Sequence, residues 1–561
     1  MILNFRNILK TSASFITKPM AGYIVILLFF IIGMFIVRDY GINIDEPQQL
    51  RWSRIVYNLL MRDILEKSKS ENVQMFLRNI EAEAIQYDIN PYNIRISRWP
   101  WHSSLLVLLV GIEHLNDFTL SSDNVLLIRH IYIFLTFTLG GLFFFFILKK
   151  RFPESPVAFF GLLMYLLYPR FFGEAFHNIK DIPFFSWYII SVFFGLNYLE
   201  KPLFKTLFPF ALTAAVATNI RIMGFSIPIL VITYIIMNGF LEKNDISVKN
   251  KLKPVIFNVS LLLLLYIGFY FIISPSLWQN PVYLIKSYFI RWATASFWDY
   301  MHFYLGQMIT KNVPWHYIPV WMGVTVPIGY IILFLAGSVT IVISFNKLNL
   351  KNSKTLYDSF FLCLFYLTLL GFIILKITMY TGWRHSYFIF ASFLYIAVTG
   401  LDYIYTLCKR TKISSICFSA VFFGYMISLG WWIAYNHPYQ YIFFNEISRG
   451  KFADQNFVLD YYGVSTNDIL REILKIDSRS QIIIGYNNTN NIYLEMLTPE
   501  ERLRIKRLGH ELEADPAVKP DYIIRGSRGH IRTREDFNDY EKIYNITVDN
   551  CEIISLHKYT K

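Results

Sequence analysis

The chain has 561 residues, 54% of them hydrophobic and 18% aromatic, with a mean hydropathy of +0.38 and a formal charge of +13. Apolar runs long enough for about 30 Å of hydrocarbon recur along its first three quarters, which excludes a soluble enzyme and defines a polytopic helical membrane protein. The positive charge lies largely in short loops between those runs, where it sets topology, so no nucleic-acid partner is expected.

In chain order, the first apolar run, 21–37, lacks a small-residue cleavage site and reads as a signal anchor. Asp45-Glu46 follows, two adjacent carboxylates at the head of a polar segment, 38–103. One carboxylate can take a proton from an acceptor hydroxyl, and its neighbour can orient it or help hold a cation. Taken alone, the pair is explained more simply by a capped helix start, because Asp45 suits an N-cap and Pro47 a first turn. Segment 38–103 is too long for a connector. Helical spacing over 49–66 (Leu50, Ile55, Leu59, Leu60, Ile64) and 72–85 predicts two helices lying on the outer leaflet.

Ten further spans bring the total to eleven: 131–148, 156–168, 182–199, 207–218, 222–240, 254–273, 318–345, 360–375, 387–405 and 416–435. Two of them, 156–168 and 207–218, are short for the hydrocarbon and need their ends buried or the bilayer thinned. Alternate loops carry the lysines and arginines, among them Lys149-Lys150-Arg151, Lys201 with Lys205, Lys249 to Lys253, and Lys409-Arg410. The positive-inside rule makes these loops and the N-terminus cytoplasmic. The Asp45-Glu46 loop, 169–181, 274–317, 376–386 and the tail after Asn436 then share the outer face.

That face collects the chemistry-bearing residues. Segment 169–183, PRFFGEAFHNIKDIP, packs Glu174, His177, Lys180 and Asp181 between two spans. Arg221 occupies a very short turn, and Arg384-His385 opens a later span. Arginine suits bidentate phosphate contact, and Lys180 or Lys376 can add a point charge. Headgroup snorkelling explains each arginine singly. Trp315 and His316, in Pro314-Trp315-His316-Tyr317, stand before another span, as belt residues also do. His437-Pro438-Tyr439-Gln440-Tyr441 follows the last span and is placed to pin an outer domain to the bundle. In the tail, strands are predicted over 481–485, 521–525, 542–548 and 552–558, and helices over 466–475 and 499–508: a small α/β domain. There is no GxGxxG or P-loop, and Cys363, Cys408, Cys417 and Cys551 show no disulfide or zinc spacing.

Taken in order, these pieces resemble one family, the GT-C-fold glycosyltransferases that include the protein O-mannosyltransferases and the bacterial lipid A aminoarabinose transferases. The resemblance rests on Asp45-Glu46, Lys180-Asp181-Ile182-Pro183 and Arg221, with Pro314–Tyr317, RHSYF at 384–388, HPYQYIFFN at 437–445 and Asp460-Tyr461-Tyr462-Gly463 in support. It implies a catalytic membrane domain over 1–435, with 38–103 as its first external loop, and a periplasmic or extracellular domain over 436–561. It implies transfer of a monosaccharide from a polyprenyl-phosphate donor to a protein, lipid or glycan acceptor, with inversion, at the outer face of the cytoplasmic membrane. Asp45 is then the general base, with Glu46 and Asp181 beside it. Arg221, Arg384 and Lys180 face the donor phosphate, and Glu174, His177, Trp315, His316 and His385 line the sugar and acceptor pocket. A divalent metal, Mg²⁺ or Mn²⁺, varies across the fold; if present, Asp45, Glu46 and Asp181 are the ligands implied. A flippase of lipid-linked sugars is the alternative from another class, but its polar residues belong mid-span on broken helices. An O-antigen ligase or polymerase shares both lipid and topology and stays open.

Overall fold

The computed structural model describes residues 17–86, 104–241, 248–278, 281–282, 286, 302–310, 313–345, 350, 352–377, 379, 382–486, 491–507, 519–526 and 539–560. Among the described residues eight helices are long and apolar enough to cross a membrane, and four shorter apolar helices accompany them. The eight and three of the four occupy the eleven segments expected to span. The fourth, Ser104–Leu115, falls between expected elements, being too short to span and carrying Glu113 and His114.

Two departures from the expected bounds have local reasons. Helix Ser122–Arg151 starts nine residues before position 131, because Arg129 and His130 interrupt the apolar run yet are buried. Arg129 donates to Ser53 Oγ at 3.1 Å and pairs with Glu113 at 3.5 Å, so the charge has partners inside the protein. The expected single span 318–345 is two helices, Tyr317–Thr325 and Ile328–Ser344. Pro327 lacks an N–H and pushes the residue before it out of the helical region; Val326 has ψ 135°.

Contacts place alternate span ends together, as the charge alternation requires. At the basic end, Lys149 Nζ donates to Thr17 O at 2.9 Å, Lys150 pairs with Glu200 at 2.7 Å, and Arg151 holds Asp358 through two bonds of 2.8 and 2.9 Å. Asp39, Asp181, Arg221, Arg384 and His437 gather at the opposite end. Inside the bundle, helices Ile328–Ser344 and Phe390–Cys408 cross on two glycines. A Cβ at Gly337 would lie 1.9 Å from Ile396 O, and one at Gly400 2.1 Å from Leu333 O. Small residues here let backbones touch, which is how helices pack where lipid removes the hydrophobic drive.

In the loop after the first span, helices Glu46–Leu65 and Glu71–Gln86 are close to the expected 49–66 and 72–85. Their apolar faces meet each other and helix Ser104–Leu115, burying Trp52, Ile55, Val56, Val73, Phe76 and Val110 in a separate small core. Leu60 and Ile64 remain exposed. The part of the loop over 87–103 lies outside the described residues.

The tail forms a five-stranded sheet, β1 Ile482–Tyr486, β2 Ile505–Arg507, β3 Tyr522–Gly526, β4 Tyr540–Val548 and β5 Cys551–Tyr559, in the order β2-β1-β3-β5-β4. The pairs β1–β2 and β1–β3 are parallel, and β5 runs antiparallel to both β3 and β4. Helix Thr466–Ile476 buries Ile469, Leu470 and Ile473. The helix expected over 499–508 stops at Arg504, and Ile505 turns inward as the first residue of β2, opposite Ile482. An apolar position every few residues does not separate those states; sheet pairing decides. The tail is tied to the bundle by Trp432 Nε1 to Asp549 at 3.0 Å, His437 Nε2 to Asp39 at 2.8 Å, and Tyr40 Oη to Gln440 at 2.9 Å.

Candidate active site

The site begins where the first span ends. Asn43 Oδ1 accepts the Asp45 N–H at 2.9 Å, and the Asn43 N–H donates to Glu46 Oε2 at 2.7 Å. This Asx turn organises the start of helix Glu46–Leu65. Asp45 holds the N-cap position but makes no side-chain capping bond. Its carboxylate pairs instead with Arg384 Nη1, from a segment 339 residues away. The structural explanation for Asp45, a helix cap, is therefore supplied by its neighbour.

The 169–183 motif folds as helix Pro169–His177, a three-residue connection, Asn178-Ile179-Lys180, and helix Asp181–Glu200. Gly173 permits this placement, because a Cβ there would lie 2.4 Å from Tyr441 N. Asn178 is the hinge. Its Oδ1 accepts the Asp181 N–H at 2.9 Å, and its Nδ2 reaches Glu174 at 2.6 Å, Tyr462 at 2.8 Å and Asp181 at 3.2 Å. Asp181 pairs with Arg221, which ends helix Phe204–Ile220 in an extended conformation, φ −145°. Arg384 Nη2 also donates to Tyr461 Oη at 2.9 Å, with its guanidinium 4.7 Å from that ring and 5.6 Å from the Tyr462 ring.

Half-buried Lys180 lies in the field of Asp45, Asp181, Arg221 and Arg384. Burial, then Arg221, pushes its ammonium down to about 8, and the two carboxylates act against that. His385 lies in the field of Arg221, Arg384 and Lys180. Five charged groups from four stretches of chain thus share one patch: three cations, Lys180, Arg221 and Arg384, against two carboxylates, Asp45 and Asp181. The difference, three minus two, leaves one positive charge.

Behind the patch lies a buried polar layer. Glu174 accepts from Tyr387 Oη at 2.6 Å and Tyr462 Oη at 3.1 Å. Burial raises its carboxyl to about 7, against the opposing influence of Arg170 and its hydrogen bonds. His177 is fully buried between Tyr441 and Tyr462, ring centroids 4.9 and 5.2 Å away. Burial, then His130, holds it well below the usual imidazole range, so it is neutral. A cavity of about 20 Å³, room for roughly one water, lies among Glu174, Tyr387, Arg384 and Tyr461.

Several placements differ from those read in the sequence. Glu46 is 0% exposed, and its second oxygen meets His130 Nε2 at 3.0 Å. It braces the Asp45 turn from beneath and does not open on the patch. Glu174 and His177 form the wall behind the patch, with no open face to hold an acceptor. Trp315 is 70% exposed, and His316 Nδ1 is 2.7 Å from Tyr304 Oη on the small hairpin His302–Tyr304/Gln307–Ile309. Neither is joined by a described bond to the charged patch, and neither is Lys376. Asn43, His130, Asn178, Tyr387, Tyr461 and Tyr462 shape the site without a role assigned from sequence. Asn178, Tyr387 and the Tyr461-Tyr462 pair belonged to quoted motifs; Asn43 and His130 carried no signal beyond nearness to charged motifs.

The three carboxylates suggested as metal ligands do not fit that role. Asp45 and Asp181 each hold a different arginine, and Glu46 points to Asn43 and His130. Among the described residues no group of three or more His, Cys, Asp or Glu side chains is arranged to hold a metal ion.

No family model matches the chain, and no curated protein matches it. Among solved structures, it is similar to ArnT from Cupriavidus metallidurans bound to undecaprenyl phosphate, with 11% identity over 96% of this chain and 98% of that one, TM-score 0.44. The apo state of the same ArnT aligns at 12% identity over the same shares, TM-score 0.42.

Proposed function

We propose that the chain is a multi-pass membrane glycosyltransferase of the GT-C type, taking a monosaccharide from a polyprenyl-phosphate donor at the outer face of the cytoplasmic membrane. One observation carries the reading: Asp45, Lys180, Asp181, Arg221 and Arg384, scattered over 340 positions, meet in one patch at the span ends with a single net positive charge. A sugar on a lipid phosphate is a phosphodiester with one negative charge, so donor and patch neutralise each other. The prenyl chain then lies in the bilayer, and the sugar faces the tail.

In this reading the acceptor oxygen attacks the anomeric carbon from the side opposite the phosphate. The new C–O bond forms as the bond from the anomeric carbon to the phosphate oxygen breaks, and the phosphate leaves with the bonding pair on the lipid. That leaving group needs charge stabilisation rather than a proton, which Arg221 and Arg384 supply. The acceptor proton passes to Asp45, the carboxylate of the patch that is a third exposed. Asp45 is held in an ion pair by Arg384; engagement of Arg384 by the donor phosphate frees that carboxylate to take the proton. Residues 1–435 form the catalytic membrane domain, and 436–561 an outer domain that contributes Tyr461 and Tyr462 to the wall.

The test is binding of a short-chain polyprenyl phosphate to the purified protein, against the same prenol without phosphate. The phosphate form should bind, and Arg221→Ala should weaken it by about tenfold or more, as loss of a charged hydrogen-bonding group does. Arg221→Lys should recover only part of this, because an ammonium lacks the bidentate fork. Equal binding of the prenol, or unchanged affinity in Arg221→Ala, overturns the reading.

A further inference from the structure

At the opposite end of the bundle, the chain forms a second basic cavity. It measures about 210 Å³ and opens between the end of helix Asp181–Glu200 and the start of helix Phe204–Ile220. Lys150, Lys201 and Lys205 line it, with Glu200, Asn197 and Phe194. Lys150 is held by Asn197 and by Glu200, the latter at 2.7 Å, so its charge is matched. Lys201 and Lys205 are exposed and take part in no ion pair among the described residues. The cavity therefore carries two uncompensated positive charges, from three lysines and one glutamate. The first N–H groups of helix Phe204–Ile220, which start at the same rim, add to that field.

Its surroundings are apolar and outward-facing. Leu203, Phe204 and Phe208 are 49, 60 and 42% exposed. A basic recess at a span end, flanked by exposed aromatic and aliphatic side chains, matches a lipid with an anionic head and hydrocarbon tails. The volume suits a head alone, being smaller than the roughly 300–1,000 Å³ that encloses a whole drug-sized ligand.

We propose that this cavity is a binding site for the headgroup of an anionic phospholipid, with the acyl chains lying against Phe204 and Phe208. The phosphate is held by Lys201 and Lys205, and the Lys150–Glu200 pair forms the fixed floor. The site is separate from the patch at the other span ends and needs no part of the catalytic reading.

The experiment uses the full chain in nanodiscs of phosphatidylcholine with about one third phosphatidylglycerol, followed by native mass spectrometry of the lipids retained. Wild type should retain phosphatidylglycerol over phosphatidylcholine. At roughly fivefold for each lysine beside an anionic lipid, Lys201→Gln/Lys205→Gln should lower that preference by about 25- to 30-fold. Both side chains are exposed, so the fold should be unaffected, as a monodisperse elution profile checks. Lys409→Gln/Arg410→Gln, at another basic loop, should leave the preference intact. An equal loss in that control assigns the effect to diffuse surface charge and overturns the proposal, as does unchanged retention in the Lys201/Lys205 variant. Displacement of the lipid by millimolar inorganic phosphate overturns it too, because a free anion then suffices.

Discussion

Asp45→Asn separates chemistry from packing, because the structure sets the two effects on different scales. Asparagine keeps a carbonyl oxygen where Arg384 Nη1 now bonds, so what disappears is charge and basicity. Arg384 is 6% exposed and retains the Tyr461 hydroxyl at 2.9 Å and the faces of Tyr461 and Tyr462. Asp45 itself is 36% exposed, so water already screens the pair. The stability change is then about 1 kcal/mol or less, the scale of a solvent-screened ion pair and far from that of a stranded buried charge. Loss of a general base lowers turnover by about 10²–10⁴, and the lower bound alone is about 2.7 kcal/mol on the barrier. The assay is turnover at saturating lipid donor, with donor affinity and melting temperature measured on the same preparation. A fall in kcat of about 10² or more, with melting shifted by only about 2 °C, is the expected outcome. A raised donor KM with unchanged kcat makes Asp45 a holder of Arg384, and near-normal kcat and KM together refute the mechanism outright.

Three other outcomes follow from particular contacts. Glu174 has its carboxyl raised from 4.5 to about 7 by burial, so the folded protein holds that proton more tightly than the unfolded chain. The stability it contributes is complete below about pH 4.5 and is lost as pH rises towards about 7, a total of about 3 kcal/mol; Glu174→Gln should flatten that part of the melting-temperature profile, and an unchanged slope counts against the assignment. Gly400→Ala drives a Cβ to within 2.1 Å of Leu333 O, whereas Gly371 in helix Ser353–Ile374 has nothing within 4 Å. Thermal aggregation should thus come earlier for Gly400→Ala, by about 1–3 kcal/mol of stability, and not for Gly371→Ala; equal behaviour of the two contradicts the close crossing. For orientation, an impermeant maleimide applied outside should label Leu503→Cys and spare Lys409→Cys in a cysteine-free background, and the reverse pattern turns the molecule over.

The fold was legible where one physical signal acted alone. Apolar length located the spans, and lysine alternation paired their ends. The signal failed where tertiary partners offset a local penalty. Arg129 and His130 interrupt an apolar run, yet Ser53, Glu113 and Glu46 hold them inside the protein, so the helix begins a full two turns early. Ile505–Arg507 shows the reverse: a helical pattern gives way because β1 offers a parallel partner. The hydropathy of 318–345 hid a break that Pro327 alone imposes.

The charged patch was legible as a set of residue types facing one side, but their pairing was not. Reading Asp45 as a base with Asp181 beside it, and Arg221 and Arg384 as phosphate ligands, treats them as separate tools. In the structure each acid holds one arginine. Each carboxylate neutralises the cation beside it at the span end. An incoming phosphate does not meet bare guanidinium groups; it competes with carboxylates already there. In the proposed reaction donor binding and release of the base become one event, since the phosphate that takes Arg384 also frees the Asp45 carboxylate. A sequence can supply the four charges; only the ion pairs show that they are coupled, and Asp45→Asn measured with and without Arg384→Lys reads that coupling as a departure from additivity.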